Sequence, residues 1–491
     1  MSKSLRAAGL LAMASIAALS VPAQAELPAE ARAQLTGTVD KNAGQLADTA
    51  LKIWNYAELG YLETQSSGLL QAQLKKAGFT VQAGVAGQPT AFVASFKNGS
   101  GPVIGILAEF DALPGLSQAA VPFKQAVAGR DAGHGCGHNL FGAASSSAAI
   151  AVKDWMVKNK IPGEIRVYGT PAEEGGSGKA YMVREGLFED VDVALHWHPG
   201  NRNSAAESAS LANISGKFRF HGASSHAAGA PDKGRSALDG VEALNAMVNM
   251  MREHIPDRTR IHYAITEGGK APNVVPDFAE VYYYVRHVDP KVVVSVMDRV
   301  KKAAEGAAMG TETKVEWEQT GGVYSMLPNA ALMSVMDRNL RHVGGVQWNA
   351  EETEFARKIQ ATLAPGAPAL ETAQQIAEAK IDNEGRGSTD VSDVSWVTPT
   401  VGLSTATFVP GSAGHSWQNV AAAGHSIGIK GSVNAAKTLA LTAAELLTSP
   451  ETVAAAKAEF AQRRGPNFVY KSMVGDRQPP LDYRKPASGG E

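Results

Sequence analysis

Between residues 30 and 210, four short apolar runs (TAFVASF, VIGILAEFDALPG, EIRVYGTPAEE and VDVALHWHPG) each end in polar, Gly or Pro residues. Helical stretches such as LFGAASSSAAIAVKDWMV lie between them. This alternation implies an α/β domain built on a mostly parallel sheet with helices on both faces. In such sheets ligands collect beyond the carboxyl ends of the strands. Asp111, Glu173, Glu174 and His198 all fall at those ends.

Residues 214–325 follow another rhythm. GKFRFHG alternates like a strand, and the next segment carries Leu238, Val241, Leu244, Val248 and Met251 at helical spacing. Two strands, IHYAITEGG and AEVYYYVRHV, a second helix, KVVVSVMDRVKKAAEGAA, and a last strand, TKVEWEQ, complete a βαββαβ order. That order describes a compact ferredoxin-like unit. Because α/β character resumes afterwards, the unit is expected to be an insertion. The chain thus divides into a leader (1–25), a first α/β segment (26–213), the inserted domain (214–325), a second α/β segment (326–465) and a Pro/Gly-rich, loosely packed tail (466–491), the two α/β segments being expected to form one domain that carries the site. Residues 345–390 are expected to be polar and helical.

The leader is MSKSLRAAGLLAMASIAALSVPAQAE, with Lys3 and Arg6, an apolar run from Ala7 to Val21 and a small-x-small site ending at Ala25. This pattern marks a secretory signal, so the mature chain is expected to start near Glu26 and to be exported, to the periplasm in a Gram-negative cell. The apolar run is too short to span a bilayer. A net charge of −2 with no long basic run gives no indication of nucleic-acid or membrane partners.

An exported chain could use disulfides, but this one has a single cysteine, Cys136, flanked by His134 and His138 in HGCGHN. Three other Gly- or Pro-bearing stretches are equally dense in ligand-type side chains. PAEEGGSG offers Glu173 and Glu174, LHWHPG offers His196 and His198, and PGSAGHSWQ offers His415. Taken singly, a lone Cys is commonly a small hydrophobe, and a Glu pair is usually a solvated surface. Four such loops at strand ends favour a metal site. EEGGSGKA is not a phosphate loop, since that motif needs Gly at 173 and Ser or Thr at 180.

AEFDALPG, GHGCGHNLFGAA, PAEEGGSGKAYMVREG, SSHAAGAPDKGRSALD and PNVVPDFAEVYYYVR together resemble the M20 metallopeptidases. The resemblance is to the aminoacylase-like amidohydrolase branch, and within it to the aminobenzoyl-glutamate hydrolase B subunits. It runs from about residue 30 to 450. It implies a zinc-peptidase-like α/β domain interrupted by a dimerisation domain, and two divalent metal ions per subunit, Zn or Mn. Cys136 would bridge both ions, with His138 and His198 completing one and Glu174 and His415 the other. Glu173 would be the general base, and Asp111 would orient a ligand histidine. His226 would reach a partner's site and polarise the scissile carbonyl, while Asn273 and Arg286 would bind the substrate carboxylate. His196 competes with His198, and His425 with His415; His134 is taken as loop structure.

The resemblance thus implies hydrolysis of N-acyl or N-aroyl amino acids of the p-aminobenzoyl-glutamate type, in a homodimer or a heterodimer with a related subunit. A dipeptidase or general N-acyl-amino-acid deacylase is the near alternative. Two other classes compete: a cysteine hydrolase with Cys136 as nucleophile, and a non-catalytic binding protein on the same scaffold.

Overall fold

The computed structural model of the chain describes residues 26–485. The export signal expected over residues 1–25 lies outside the described residues, as does the end of the tail from 486. In chain order the strands are β1 (Thr80–Ala83), β2 (Phe92–Lys97), β3 (Val103–Ala108), β4 (Glu164–Gly169), β5 (Val193–Gly200), β6 (Glu207–Ser208), β7 (Ala212–His221), β8 (Arg260–Glu267), β9 (Phe278–His287), β10 (Lys314–Val323), β11 (Ile381–Asp382) and β12 (Thr400–Ala406).

The larger sheet has the order β1-β2-β4-β3-β5-β12. Its four consecutive members β4, β3, β5 and β12 are parallel, while β2 runs antiparallel to β1 and to β4. Strands buried on both faces read as unbroken apolar runs, which is why VIGILA of β3 shows no alternation. The helix His138–Asn159 packs on this sheet through Gly142, Ala143, Ala144, Ser145, Ala148 and Ala149, all buried. A Cβ at Gly142 would come within 2.8 Å of the Glu109 carbonyl oxygen. The glycine therefore lets the helix start approach the end of β3.

The inserted domain has the order β10-β7-β9-β8, antiparallel throughout. Helices Ala237–Met251 and Pro290–Gly310 supply its other layer. Phe218, Phe220, Val241, Leu244, Val281, Tyr283, Val296 and Val300 form a core separate from that of the larger sheet. The first strand starts at Ala212 and the last ends at Val323, slightly ahead of the span 214–325 taken from the pattern. No helix among the described residues is long and apolar enough to cross a membrane.

Two expectations need correction. Within 345–390 the α-helix covers only Ala350–Gln360, opened by a reciprocal capping box between Asn349 and Glu352. Beyond it the backbone is largely irregular, because 361–390 carries repeated Pro and Gly and little apolar periodicity. The described part of the tail is not loose: Met473 and Val474 are buried, and residues 466–485 lie against both domains. Pro and Gly there shape a path across the surface.

Glu207 of β6 is buried, and its Oε2 accepts from the Asn329 N–H at 2.7 Å. Burial pushes its carboxyl up to about 8 from an ordinary 4.5. Between those values the unfolded chain releases a proton that the folded chain keeps. Stability therefore falls as pH rises through that window, by up to about 1.4 kcal/mol per pH unit. Glu207→Gln is expected to flatten this slope, read from urea midpoints at pH 5 to 8.

Candidate metal centre

Four neighbouring parallel strands deliver the site at their carboxyl ends. Glu109 and Asp111 follow β3, Glu173 and Glu174 follow β4, His198 sits near the end of β5, and His415 lies in the loop beyond β12. His138 is the first residue of its helix, capped by Gly137 at φ +77°, a left-handed turn that glycine takes without strain.

Ligand atoms of Cys136, His138 and His198 lie within 4.8 Å of one another, and so do those of Cys136, Glu174 and His415. Cys136 belongs to both sets. Its Sγ is 3.4 Å from His198 Nε2, and Glu174 Oε1 is 3.4 Å from His415 Nε2. His198 Nδ1 donates to the Pro199 carbonyl, and His138 Nδ1 donates to Asp111 Oδ1 at 2.9 Å. Each ring keeps Nε2 as its remaining donor atom. The other oxygen of Asp111 accepts from the Glu174 N–H, also at 2.9 Å.

The residues fit a pair of divalent ions. His138 Nε2 and Glu174 Oε1 are buried with no well-formed hydrogen bond, their nearest polar neighbours being Glu109 Oε2 at 3.0 Å and His415 Nε2 at 3.4 Å, and a cation would complete their coordination. A thiol, imidazoles and a carboxylate form a donor set suited to zinc, and the nitrogen and oxygen donors also tolerate manganese.

The competing histidines lie elsewhere. The His196 ring packs on Gly402 of β12, where an added Cβ would meet it at 2.2 Å. His425 opens the helix Ser426–Thr448 and stacks on Phe355 at 3.8 Å. His134 is buried, with Nε2 donating to the Ile53 carbonyl at 3.0 Å. His226 and Asn273 sit together on exposed loops of the inserted domain, joined by the Ala227 N–H to Asn273 carbonyl bond. Neither hydrogen-bonds to the cluster among the described residues. Arg286 lies at the opposite end of β9, paired in register with Arg260 of β8.

Three buried residues were missed from sequence. Lys179 Nζ is 2.7 Å from both Glu109 Oε1 and Asp390 Oδ1, with all three side chains inaccessible. Glu109 Oε2 is in turn 3.0 Å from His138 Nε2. The available signal was position: Glu109 stands two residues before Asp111 at the same strand end. Burial, together with Glu109, Glu174 and Asp390, raises Glu173 well above the ordinary carboxyl range. Burial would lower His138, but Cys136, Glu109 and Asp111 raise it well above its usual value.

Residues 211–312 match the peptidase dimerisation domain of the M20 family. Over 434 residues the chain is 44% identical to the B subunit of the p-aminobenzoyl-glutamate hydrolase of Escherichia coli (strain K12), covering 83% of this chain and 90% of that one. The chain belongs to the M20 peptidase family. This M20 peptidase is also 29% identical to a Mus musculus Xaa-Arg dipeptidase over 436 residues, covering 86% and 90% of the two chains. Among solved structures it shares the fold of a Bacillus subtilis dinuclear metal binding peptidase from the M20 family. That likeness has a TM-score of 0.55 at 16% identity, with 84% of this chain and 99% of that chain covered.

Asp111 touches both ligand sets, so Asp111→Ala is expected to weaken divalent-metal affinity by about 10- to 100-fold. Metal titration of the purified apoprotein checks this.

Proposed function

We propose that this M20 peptidase is a metal-dependent amidohydrolase cleaving the amide bond of N-acyl or N-aroyl amino acids, with p-aminobenzoyl-glutamate-type substrates first. Dipeptides and other N-acyl amino acids are the near alternatives. The observation that carries this reading is the sharing of Cys136 between two three-residue donor sets, with Glu173 beside them. Cys136, His138 and His198 would hold one ion, and Cys136, Glu174 and His415 the other. When bound, a pair of divalent cations supplies Lewis acidity to the amide carbonyl and to water.

Glu173 takes a proton from the attacking water at its carboxylate and delivers it to the leaving amine nitrogen. Its raised affinity for protons suits a group that must hold one between the two transfers. Asp111 keeps His138 in one tautomer and one orientation. Arg286 and Asn273 are assigned to the substrate carboxylate. In support, Arg286 Nε makes no hydrogen bond within the chain, while the guanidinium is held over the Tyr284 ring at 5.2 Å. Guanidinium groups suit carboxylates by their paired donors.

The dimerisation domain exposes Tyr263 and Ile265 on edge strand β8, and Met247 and Met250 on the neighbouring helix. Such an edge suits a second subunit, either another copy or a related A-type chain. His226 would act across that interface on the partner's scissile carbonyl. Export of the mature chain from near Glu26 is part of the same proposal.

The thiol-hydrolase reading is disfavoured by the surroundings of Cys136. Burial and the Glu174 and Glu173 carboxylates push its thiol up, whereas a nucleophilic thiolate needs the opposite.

Chelation is expected to abolish hydrolysis, and added Zn or Mn to restore it. Glu173→Gln is expected to lower kcat by more than about 100-fold while metal content measured by elemental analysis stays at the wild-type level. Full turnover in that variant removes Glu173 as the base. Mixing inactive Glu173→Gln with inactive His226→Ala subunits is expected to recover part of the activity in the hybrid dimer. A mixture that stays dead, with exchange of subunits demonstrated, rejects action in trans.

A further inference from the structure

The loop that carries Glu173 and Glu174 is held only in part by its own backbone. Ala172 and Ser177 sit at φ +56°, in the left-handed region, and Gly175 at φ +91°. Non-glycine residues persist there when their surroundings over-determine them. Beside the internal bond from the Gly176 N–H to the Ala172 carbonyl, anchors come from elsewhere: Glu63 Oε1 accepts from the Ala172 N–H, Asp111 Oδ2 accepts from the Glu174 N–H, and the Tyr61 hydroxyl donates to the Gly176 carbonyl.

A further anchor is a segment near the C-terminus. After the helix Pro450–Arg464, residues 466–485 form a strap. The Lys471 carbonyl accepts from the Tyr324 hydroxyl, the Met473 carbonyl from Gln319, and Arg477 donates to the Thr320 carbonyl at the end of the inserted domain. The carbonyls of Gly475 and Arg477 then accept from Arg184 of the catalytic domain. The strap reaches the site loop at its last described turn. There the Tyr483 hydroxyl and Arg484 Nη2 both donate to the Glu174 carbonyl, at 3.1 and 2.6 Å. The Tyr483 ring meets the Tyr61 ring edge-on at 5.8 Å, and a Cβ on Gly60 would collide with its hydroxyl at 2.3 Å. The slot is shaped for this side chain.

We propose that Tyr483 and Arg484 are positioning residues of the reaction: from the C-terminal strap they clamp the Glu174 carbonyl and so fix the direction of both the Glu173 and Glu174 side chains. Glu174 is gripped at both ends of its residue, by Asp111 at the N–H and by the strap at the carbonyl. One side of this grip comes from a segment over 300 positions away, which also braces β10. The inference rests on the assignment of Glu173 and Glu174 made above.

The test uses the full-length dimetal enzyme and the variants Tyr483→Phe, Arg484→Met, the double variant, and the conservative Arg484→Lys. Two donors to one carbonyl, one of them charged, correspond to about a 10- to 100-fold loss of kcat in the double variant. KM should stay within about twofold, since substrate contacts are untouched. The thermal midpoint should be unchanged, Arg484→Lys should recover most of the rate, and amides 173–178 should exchange hydrogen faster in the double variant. Wild-type kcat with wild-type exchange overturns the proposal, as does a rate loss matched by a lowered thermal midpoint. If the wild-type enzyme cleaves no N-acyl or N-aroyl amino acid, the proposed reaction fails, while faster loop exchange in the variant still upholds the strap.

Discussion

The carboxylate of Asp111 is the interaction on which the site depends. One oxygen takes the Nδ1–H of His138 and the other takes the N–H of Glu174, so one fully buried side chain sets a member of each donor set. The bond to His138 requires the helix start to come down close to the end of β3, and Gly142 permits that approach. Sheet order does the rest. Because β4, β3, β5 and β12 are consecutive and parallel, their ends open on one side, and loops far apart in sequence meet there.

Around that point the protein concentrates charge it must balance internally. Glu109, Lys179 and Asp390 form a buried ion cluster in which one cation faces two carboxylates, with Glu173 close by. Removing one partner of such a cluster typically costs about 3–5 kcal/mol. Burial and the surplus of acids over bases keep Glu173 raised, and that surplus creates a place where positive ions are favourable. The electrostatics and the ligand geometry therefore have a common origin in the packing at the strand ends.

Much of this was legible in the sequence. The four apolar runs became β2, β3, β4 and β5, and the change of rhythm after residue 210 became the antiparallel insert, because periodicity follows directly from which faces are covered. The candidate ligands were legible because Cys, His and paired Glu are rare beside Gly and Pro at strand ends. Choosing between His196 and His198 needed the structure, since alternation places both on one face of β5 and only β12, packed through Gly402, separates their roles. Lys179 was illegible for a different reason. A lysine in a Gly-rich stretch reads as solvated, and its acidic partners come from positions 109 and 390. The tail was misjudged likewise, because its hold is made through backbone carbonyls and scattered side chains (Met473, Val474, Arg477, Tyr483 and Arg484) rather than through a periodic apolar pattern.

The pairing of β12 with β5 has a consequence for how the polypeptide is made. Strand β5 is complete by residue 200, yet its neighbour on one side does not exist until residue 406 has been synthesised, with the whole insert between them. For that interval the growing chain carries an open, apolar strand edge, and long-range parallel pairing of this kind is slow. Until the late segment is available, the catalytic unit remains unfinished and its open edge is exposed to aggregation.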